Sequence, residues 1–326
     1  MTGKNRAIEL MNKYGKERKA FFFMVSFDMN QNLVLKESEL TNSEIYFQFP
    51  DCSKNPPISG SLPKKIIFEK NSISLKEFEK AFNIAKKHLD FGNTYLINLT
   101  KPSKIKTNLS FHQIFEHSKA KYKLWIKDQL VVFSPETFVK IKDGKISSYP
   151  MKGTIDAAIP NAEEYILNDP KETAEHNTIV DLIRNDLSMV SKNVRVEKFR
   201  YIDKIKTADK SLLQVSSEIV GAIQDSFFDL LGDQFFALLP AGSISGAPKT
   251  KTVEIIQETE QYDRGFYTGV YGYFDGKNLD SAVMIRYIEQ QGDQMIFKSG
   301  GGITTFSDCK KEYEELKDKV YLPIYK

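Results

Sequence analysis

Two-residue turn signals between short apolar runs are the feature that most constrains how this chain folds. Asp-Gly pairs of this kind favour tight hairpins between antiparallel strands. They stand at Asp143-Gly144, between residues 137–142 and 145–149, and at Asp275-Gly276, between residues 270–274 and 281–288. Gly292-Asp293 marks a further turn before residues 294–298. The sequence therefore predicts antiparallel meanders.

Helical patterns lie between these strands. Apolar residues recur at helical spacing in four segments, residues 75–89, 175–190, 250–260 and 311–320. The apolar run from Phe21 to Val25 predicts a core strand, and residues 94–99 predict another. Because strands and helices mix without regular alternation, we expect an α+β fold built on antiparallel sheet rather than a doubly wound one.

Composition excludes several classes of function. The 46 basic and 43 acidic residues are spread along the chain, so a nucleic-acid partner is not expected. No apolar run approaches the length of a membrane span, and no signal-peptide cleavage site follows the first apolar run. Cys52 and Cys309 lie far apart and match neither a disulfide framework nor a zinc site, which fits a reducing cytoplasm.

The first hairpin brings two reactive side chains to one end. A two-residue turn at Asp143-Gly144 pairs Lys142 with Lys145, and counting outward places Glu136 opposite Met151. Glu136 and Lys152 would then be neighbours. A carboxylic acid beside an amine suits acid–base or lysine-nucleophile chemistry. Surface ion pairs at hairpin ends are common and weak, so spacing alone favours a structural pair.

Two helices carry acidic pairs. Glu172 and Glu175 lie at the start of one helix, while Glu312, Glu315 and Lys319 share a face of the last helix. Converging carboxylates would suit a hard cation such as Mg²⁺, which keeps several waters and takes one or two protein carboxylates. Acidic residues in a first helical turn more often compensate the helix dipole. Ion pairing is also the simpler interpretation of Asp181, Arg184 and Asp186 on the first of these helices.

Two glycine-bearing segments fit close approach of a ligand. Residues 239–249, LPAGSISGAPK, lead into a helix whose first turn could hold a carboxylate with backbone N–H groups. Residues 299–302, SGGG, expose backbone. Tight turns explain both equally well. Arg286 lies among apolar residues on a predicted strand, where a substrate carboxylate could pair with it.

The order of these segments resembles the chorismate-binding enzymes, the family of anthranilate, aminodeoxychorismate, isochorismate and salicylate synthases. The segments that carry the resemblance are SPE at Ser134, PMKGT at Pro150, EH…IVDLIRNDL at Glu175, LPAGSISGAPK at Leu239, GVYGYF at Gly269, DSAVMIRY at Asp280, SGGGI at Ser299 and the final helix. The resemblance covers residues 91–326, after a shortened first part of ninety residues. It implies a single chorismate-binding domain with two large antiparallel β-sheets packed as a sandwich and helices outside.

The resemblance also implies roles for individual residues. Glu175 and Glu315 would bind Mg²⁺ directly, and Glu172 and Glu312 through water. Glu136 would be the general acid/base. The groups that contact chorismate would be Gly153, Thr154, Ser245, Gly246, Tyr273, Arg286, Gly301, Gly302 and Lys319. The family often has a histidine before SGAPK, and residues 230–240 contain none.

Lys152 distinguishes the branches of the family. Among the enzymes that the chain resembles, Pro-x-Lys-Gly-Thr is the motif of the aminodeoxychorismate branch, and the other branches have Ala in place of the Lys. The resemblance implies that the Lys152 amine adds at C2 as the C4 hydroxyl leaves. Ammonia then attacks C4 and expels the lysine. The expected function is thus Mg²⁺-dependent amination of chorismate on the way to 4-aminobenzoate and folate.

Three alternatives stay open. Isochorismate and salicylate synthases need a lysine that activates water, and the aligned position here is Leu96. Lys152 counts against anthranilate synthase component I, and the intact set of charged residues counts against an inactive binding or regulatory subunit. Neither cysteine lies in a nucleophile-like Gly-x-Cys-x-Gly turn, so we expect a separate glutamine amidotransferase to supply the ammonia. Feedback inhibition by tryptophan is not expected.

Overall fold

Two antiparallel sheets of nine strands each organise the part of the chain that the computed structural model describes, residues 1–58, 60–206 and 211–324. In chain order the strands are β1 (Phe21–Val25), β2 (Asn32–Lys36), β3 (Ile45–Gln48), β4 (Ser53–Lys54), β5 (Phe68–Asn71), β6 (Leu96–Thr107), β7 (Tyr122–Ile126), β8 (Leu130–Ser134), β9 (Thr137–Lys142), β10 (Lys145–Ser148), β11 (Met151–Asp156), β12 (Lys192–Lys206), β13 (Ser211–Ala222), β14 (Gly246–Ala247), β15 (Val270–Phe274), β16 (Leu279–Val283), β17 (Tyr287–Gln291) and β18 (Gln294–Ile303).

The α-helices are α1 (Lys4–Lys16), α2 (Glu37–Thr41), α3 (Leu75–Asp90), α4 (Phe111–His117), α5 (Ala162–Asn168), α6 (Pro170–Val190), α7 (Leu231–Ala237), α8 (Gly242–Ser245), α9 (Lys249–Glu260) and α10 (Cys309–Asp318). A 3-10 helix spans Asp225–Leu230. None of the helices in the described ranges is long and apolar enough to cross a membrane.

The first sheet has the strand order β11-β13-β10-β9-β16-β15-β1-β2, with β12 also paired to β13. The second has the order β14-β6-β18-β17-β8-β7-β3-β4, with β5 also paired to β6. The predicted strand at Phe21–Val25 is confirmed: it is fully buried and lies between β15 and β2. Both sheets therefore contain neighbouring strands that are distant from each other in the sequence.

The sheets pack face to face with helices outside, so the expected sandwich is confirmed. One core cluster joins the inner faces, with Phe22, Met24 and Tyr271 from the first sheet and Phe47 and Tyr287 from the second. A second cluster packs the helices against the first sheet and against the ends of β6 and β18 in the second. A third lies under α4 on the second sheet. Burial of these apolar side chains is the main driving force for the arrangement.

Local signals explain where the helices begin. In α3 the Ser74 side chain accepts from the backbone N–H of Glu77, whose carboxylate returns the contact in a capping box. Phe78, Phe82 and Leu89 then fall on the buried face. The amphipathic pattern thus fixes both the start of this helix and the face that it buries.

The first hairpin departs from the predicted register beyond its turn. Lys142 pairs with Lys145 as expected, but the ladder ends where Ser147 faces Lys140. On its other edge this chain segment follows β13, where Ser148 pairs with Ile219 and Met151 with Ser216. The ladder with β9 therefore does not reach Met151 and Glu136, and the carbonyl of Glu136 accepts from the N–H of Val283.

Two further expectations about strands are corrected. The predicted strand through residues 281–288 is broken, because Arg286 has φ +53 and the chain passes there from β16 in one sheet to β17 in the other. The strand predicted over residues 294–298 does not end before the glycines but continues through residues 299–302 as part of β18, where Gly301 pairs with Leu99 and Gly302 with Asn98.

Candidate active site

The start of α6 presents two carboxylates. The Asp169 side chain caps the helix by accepting from the backbone N–H of Glu172 at 2.9 Å, and Pro170 occupies the first turn. One turn later Glu175 is 7% exposed. The cap thus fixes the direction from which Glu172 and Glu175 approach the sheet.

The last helix presents the second acidic pair. Asp308 caps α10 by accepting from the N–H of Lys311. Glu312 is buried, and Glu315 binds the Lys319 ammonium with 2.7 Å between Nζ and Oε1. Lys319 also donates to the carbonyl of Gly300 at 2.9 Å. This lysine therefore joins α10 to β18.

Lys152 projects from β11 into the same region. Its Nζ lies 2.8 Å from Oε2 of Glu175, and the two side chains are 22% and 7% exposed. Burial lowers the pKa of Lys152, but the carboxylates of Glu175, Glu172 and Glu315 raise it by more, so the pKa lies above its ordinary value. The lysine of one sheet is thus surrounded by the carboxylates of two helices.

Three glycines allow these groups to approach the backbone. A Cβ on Gly302 would lie 2.9 Å from Nζ of Lys152, and one on Gly153 would lie 3.1 Å from Oε2 of Glu172. A Cβ on Gly301 would lie 3.5 Å from Nζ of Lys319 and 3.6 Å from Oε1 of Glu315. Glycine at position 302 is therefore required for the observed position of the lysine amine.

Glu136 lies close to the two lysines. Burial raises its pKa, although the Ser243 hydroxyl, which donates to its Oε1, and the charges of Arg286, Lys152 and Lys319 lower it. A carboxyl group with a raised pKa holds a proton at higher pH than an ordinary one, as a general acid requires. The predicted proximity of Glu136 and Lys152 is thus present, although the hairpin does not produce it.

Arg286 adds an unused hydrogen-bond donor. Its Nε is buried and has no hydrogen-bond partner among the described residues. Burial lowers the pKa of Lys319, and the positive charges of Arg286 and Lys152 lower it further. A buried guanidinium donor without a partner is costly, and an anionic ligand would supply the missing acceptor.

The acidic groups suit a hard cation in their chemistry, but they do not form a ready-made metal site. Within the described residues, no three His, Cys, Asp or Glu side chains are close enough to bind one ion. Instead the amines of Lys152 and Lys319 contact Glu175 and Glu315. Carboxylate oxygens from two helices fit Mg²⁺, which needs few protein ligands when water and substrate complete its shell.

Three of the expected substrate contacts are exposed or have structural partners. Ser245 is buried and donates to the carbonyl of Ala241 at 2.9 Å. Gly246 pairs with Ile97, and a Cβ there would lie 1.9 Å from the Leu96 carbonyl oxygen. Thr154 is exposed in β11. Contact with substrate stays a prediction for these three.

Tyr273 does not join the cluster. Its side chain lies between the sheets, 5.6 Å from the ring of Phe47, and it lines a separate cavity with Cys52 and Asp280. The alternation of β15 explains this position, because Tyr273 shares the inner face of the strand with Tyr271. The expectation that Tyr273 holds a substrate carboxylate is therefore not supported by its position.

Tyr267 was missed by the sequence analysis. It is 3% exposed, and the positive charges of Arg264 and Arg286 and the negative charge of Glu136 all affect its pKa, which burial raises. Only its place just before β15 distinguishes Tyr267 in the sequence. Tyr267 is thus close enough to Glu136 and Arg286 to feel their charges, while the ring of Tyr321 lies 5.7 Å from the guanidinium carbon of Arg286.

Comparison with known proteins agrees with this geometry. Residues 8–324 match the family described as chorismate binding enzyme. The chain belongs to the chorismate-binding enzyme family. An uncharacterized PabA-like protein of Haemophilus influenzae is 49% identical over 320 residues, which cover 97% of this chain and 96% of that protein.

Other members of the family are more distant. Aminodeoxychorismate synthase component 1 of Bacillus subtilis is 32% identical over 259 residues, or 75% of this chain and 54% of that protein. The structure of anthranilate synthase component I from Streptococcus pneumoniae is similar with a TM-score of 0.65 at 26% identity, over 78% of this chain and 58% of that one. The family and its two-sheet fold are therefore shown for this chain.

Proposed function

We propose that this chain is the chorismate-aminating component of an aminodeoxychorismate synthase, which replaces the C4 hydroxyl of chorismate by an amino group. The observation that carries the proposal is the position of Lys152, whose amine lies against the backbone of Gly302 and 2.8 Å from Glu175. A lysine at this point gives the site a nucleophile. The product would be a precursor of 4-aminobenzoate and folate.

Lys152 would act as the nucleophile and Glu136 as the proton donor. The surrounding carboxylates favour the ammonium form of Lys152, so the amine must first lose a proton to one of them. The free amine then adds to C2 of the ring while the C4 hydroxyl leaves with a proton from Glu136, so that water is released. Ammonia then forms the new bond at C4, and the bond between C2 and the lysine nitrogen breaks. The sum is chorismate plus ammonia giving 4-amino-4-deoxychorismate plus water.

The remaining cations and acids would hold the substrate. Arg286 and Lys319 suit the carboxylates of chorismate, because one has an unused buried donor and the other lies beside the glycines of β18. Mg²⁺ would neutralise and orient the ring carboxylate of chorismate. Its direct ligands would be Glu175 and Glu315, and Glu172 and Glu312 would bind it through water. Gly301 would leave space for the ligand beside this acidic pair.

Leu96 supports amination over hydration. Its Cδ1 lies 3.1 Å from the position that a Cβ of Gly302 would take, so it borders the Lys152 amine. An apolar side chain at that point cannot activate water as a base. Direct amination at C2, as in an anthranilate synthase, is the second candidate, because the chain also resembles the Streptococcus pneumoniae structure of that name.

Ammonia would come from a separate glutamine amidotransferase. Burial raises the pKa of the Cys52 thiol to about 11, and burial also raises the pKa of Cys309. These are the two cysteines of the chain, and neither is poised to form the thiolate that a cysteine glutaminase needs.

The test is product identification. Purified protein is incubated with chorismate, MgCl₂ and an ammonium salt, and the products are separated and identified by mass. We expect 4-amino-4-deoxychorismate, which keeps the enolpyruvyl side chain. Anthranilate, which has lost that side chain, would favour the second candidate, and isochorismate or salicylate would contradict amination altogether.

A further inference from the structure

A small cavity lies beside Glu136, lined by residues of β9, of α6 and of the segment that leads into α8. Its volume is about 20 Å³, which is enough for one water molecule. The polar side chains that line it include Glu136, Ser243 and Asp186, and apolar residues such as Ile183 and Leu238 complete the wall. A water there would have the two to four polar partners that a buried water normally has.

Two polar contacts lie in the cavity wall. The Ser243 hydroxyl donates to Oε1 of Glu136. Asp186 binds Lys249 with 2.7 Å between Oδ2 and Nζ, and the two side chains are 13% and 16% exposed. Asp186 Oδ2 also lies 3.4 Å from the position that a Cβ of Gly242 would take, next to Ser243 in sequence. The cavity therefore connects Glu136 with groups that reach solvent.

We propose that one water in this cavity, with Ser243 and Asp186, forms a proton relay that returns a proton to Glu136 during turnover. After Glu136 has given its proton to the leaving group, the Ser243 hydroxyl transfers its proton to the carboxylate and takes one from the cavity water. The water is restored from Asp186, which takes a proton from solvent. Only O–H bonds form and break in the relay, and the proton that Asp186 takes from solvent is balanced by the proton that ammonia releases when the new C4–N bond forms.

Two observations support the direction of this relay. Burial raises the pKa of Asp186 although Lys249 lowers it, so this carboxyl group accepts a proton more readily than an exposed one. The Ser243 hydroxyl is the group that donates a hydrogen bond to Glu136, whereas Lys152, Lys319 and Arg286 act on its pKa through their positive charges, which lower it. Ser243 and Asp186 would not touch the substrate, and they would affect the reaction only through the protonation of Glu136. They are therefore positioning residues and not catalytic ones.

The proposal rests on the proposed role of Glu136 as a proton donor but not on which product is formed. Ala241 lines the cavity and has φ −58 and ψ 132, which valine also adopts. Ala241→Val would fill the cavity and displace the water while leaving every polar group in place. Ala237→Val, at an exposed position in α7 of the same segment, is the matched control.

The experiment measures chorismate consumption in H₂O and D₂O for the wild type and both variants. For Ala241→Val we expect kcat to fall about tenfold, with an unchanged KM and an increased solvent isotope effect on kcat, because proton delivery becomes slow. Ala237→Val should match the wild type. A wild-type kcat and isotope effect in Ala241→Val, with the folded state confirmed by circular dichroism, would overturn the relay.

A second measurement does not depend on activity. A crystal structure that shows ordered water should contain a water molecule in this cavity of the wild type, within hydrogen-bond distance of Ser243 Oγ and Asp186 Oδ2, and none in Ala241→Val. A dry cavity in the wild type overturns the proposal even if the chain aminates chorismate. Conversely, a different product with the same isotope effects would contradict only the proposed function.

Discussion

Gly302→Ala should displace the amine of Lys152, and so reduce the rate of catalysis, while leaving the stability of the fold nearly unchanged. The new methyl carbon would lie 2.9 Å from Nζ of Lys152 and 3.1 Å from Cδ1 of Leu96, both closer than an ordinary carbon contact. The backbone itself permits alanine, since Gly302 does not have a positive φ. The strain therefore falls on the far end of the flexible lysine side chain.

The size of the effect follows from the displacement. Nζ must move by roughly 0.5 Å to reach an ordinary contact, and a misplacement of about 1 Å can reduce a rate by about 100-fold. We therefore expect kcat for chorismate amination to fall about tenfold or more. Thermal unfolding should change little, because alanine at a permitted backbone position also reduces the entropy of the unfolded chain.

Gly301→Ala is the matched comparison. Its methyl carbon would lie 3.5 Å from Nζ of Lys319 and 3.6 Å from Oε1 of Glu315, which are ordinary contacts, and it would point toward the groups proposed for the substrate carboxylates. We expect this variant to raise KM for chorismate more than it lowers kcat. Steady-state kinetics with ammonium as the nitrogen source measure both constants. A Gly302→Ala enzyme with the wild-type kcat would refute the proposed contact between Lys152 and the reacting ring.

Three further outcomes are expected. Glu175→Gln and Glu315→Gln should each reduce turnover by about 100-fold or more while circular dichroism stays unchanged; near-normal turnover of either variant in saturating Mg²⁺ would show that the ligand assignment is wrong. The purified chain should use ammonium salts but not glutamine, and glutamine-dependent turnover without a second protein would exclude a separate amidotransferase. Burial lowers the pKa of His176 from 6.5 to about 4. As the pH falls, this histidine therefore takes up a proton in the unfolded chain before it does so in the folded one. The contribution of His176 to the free energy of unfolding is thus full above pH 6.5 and is lost as the pH falls toward 4. Urea denaturation should show that this histidine accounts for about 2 kcal/mol of the stability lost between pH 7 and pH 4.5, a loss that is absent in His176→Gln.

The local elements were predictable because their signals are local. A two-residue turn fixes the pairing of Lys142 with Lys145, and the apolar spacing of residues 75–89 fixes the buried face of α3. The antiparallel meander and the α+β class follow from the same signals. These expectations needed no knowledge of which distant segments meet.

The assembly of the site depends on distant pairings that no local pattern encodes. β10 and β11 both pair with β13, which lies far from them in the sequence, and the helix that carries Glu175 contacts β11 and β13, so that Lys152 meets Glu175. Arg286 leaves the strand because the chain changes sheets there. The position of Tyr273 between the sheets has the same origin, since the face of β15 that meets the second sheet is decided by tertiary packing.

Intact-protein mass spectrometry tests the central claim, covalent catalysis by Lys152, most directly. Wild-type protein is incubated with chorismate and Mg²⁺ in the absence of ammonia, and Lys152→Ala is treated in the same way. The account predicts an adduct of the dehydrated chorismate skeleton on the wild type, assigned to Lys152 by peptide mapping and absent from Lys152→Ala. An unmodified wild-type protein that makes 4-amino-4-deoxychorismate as soon as ammonium is added, together with a Lys152→Ala protein that makes it at the same rate, would contradict the account.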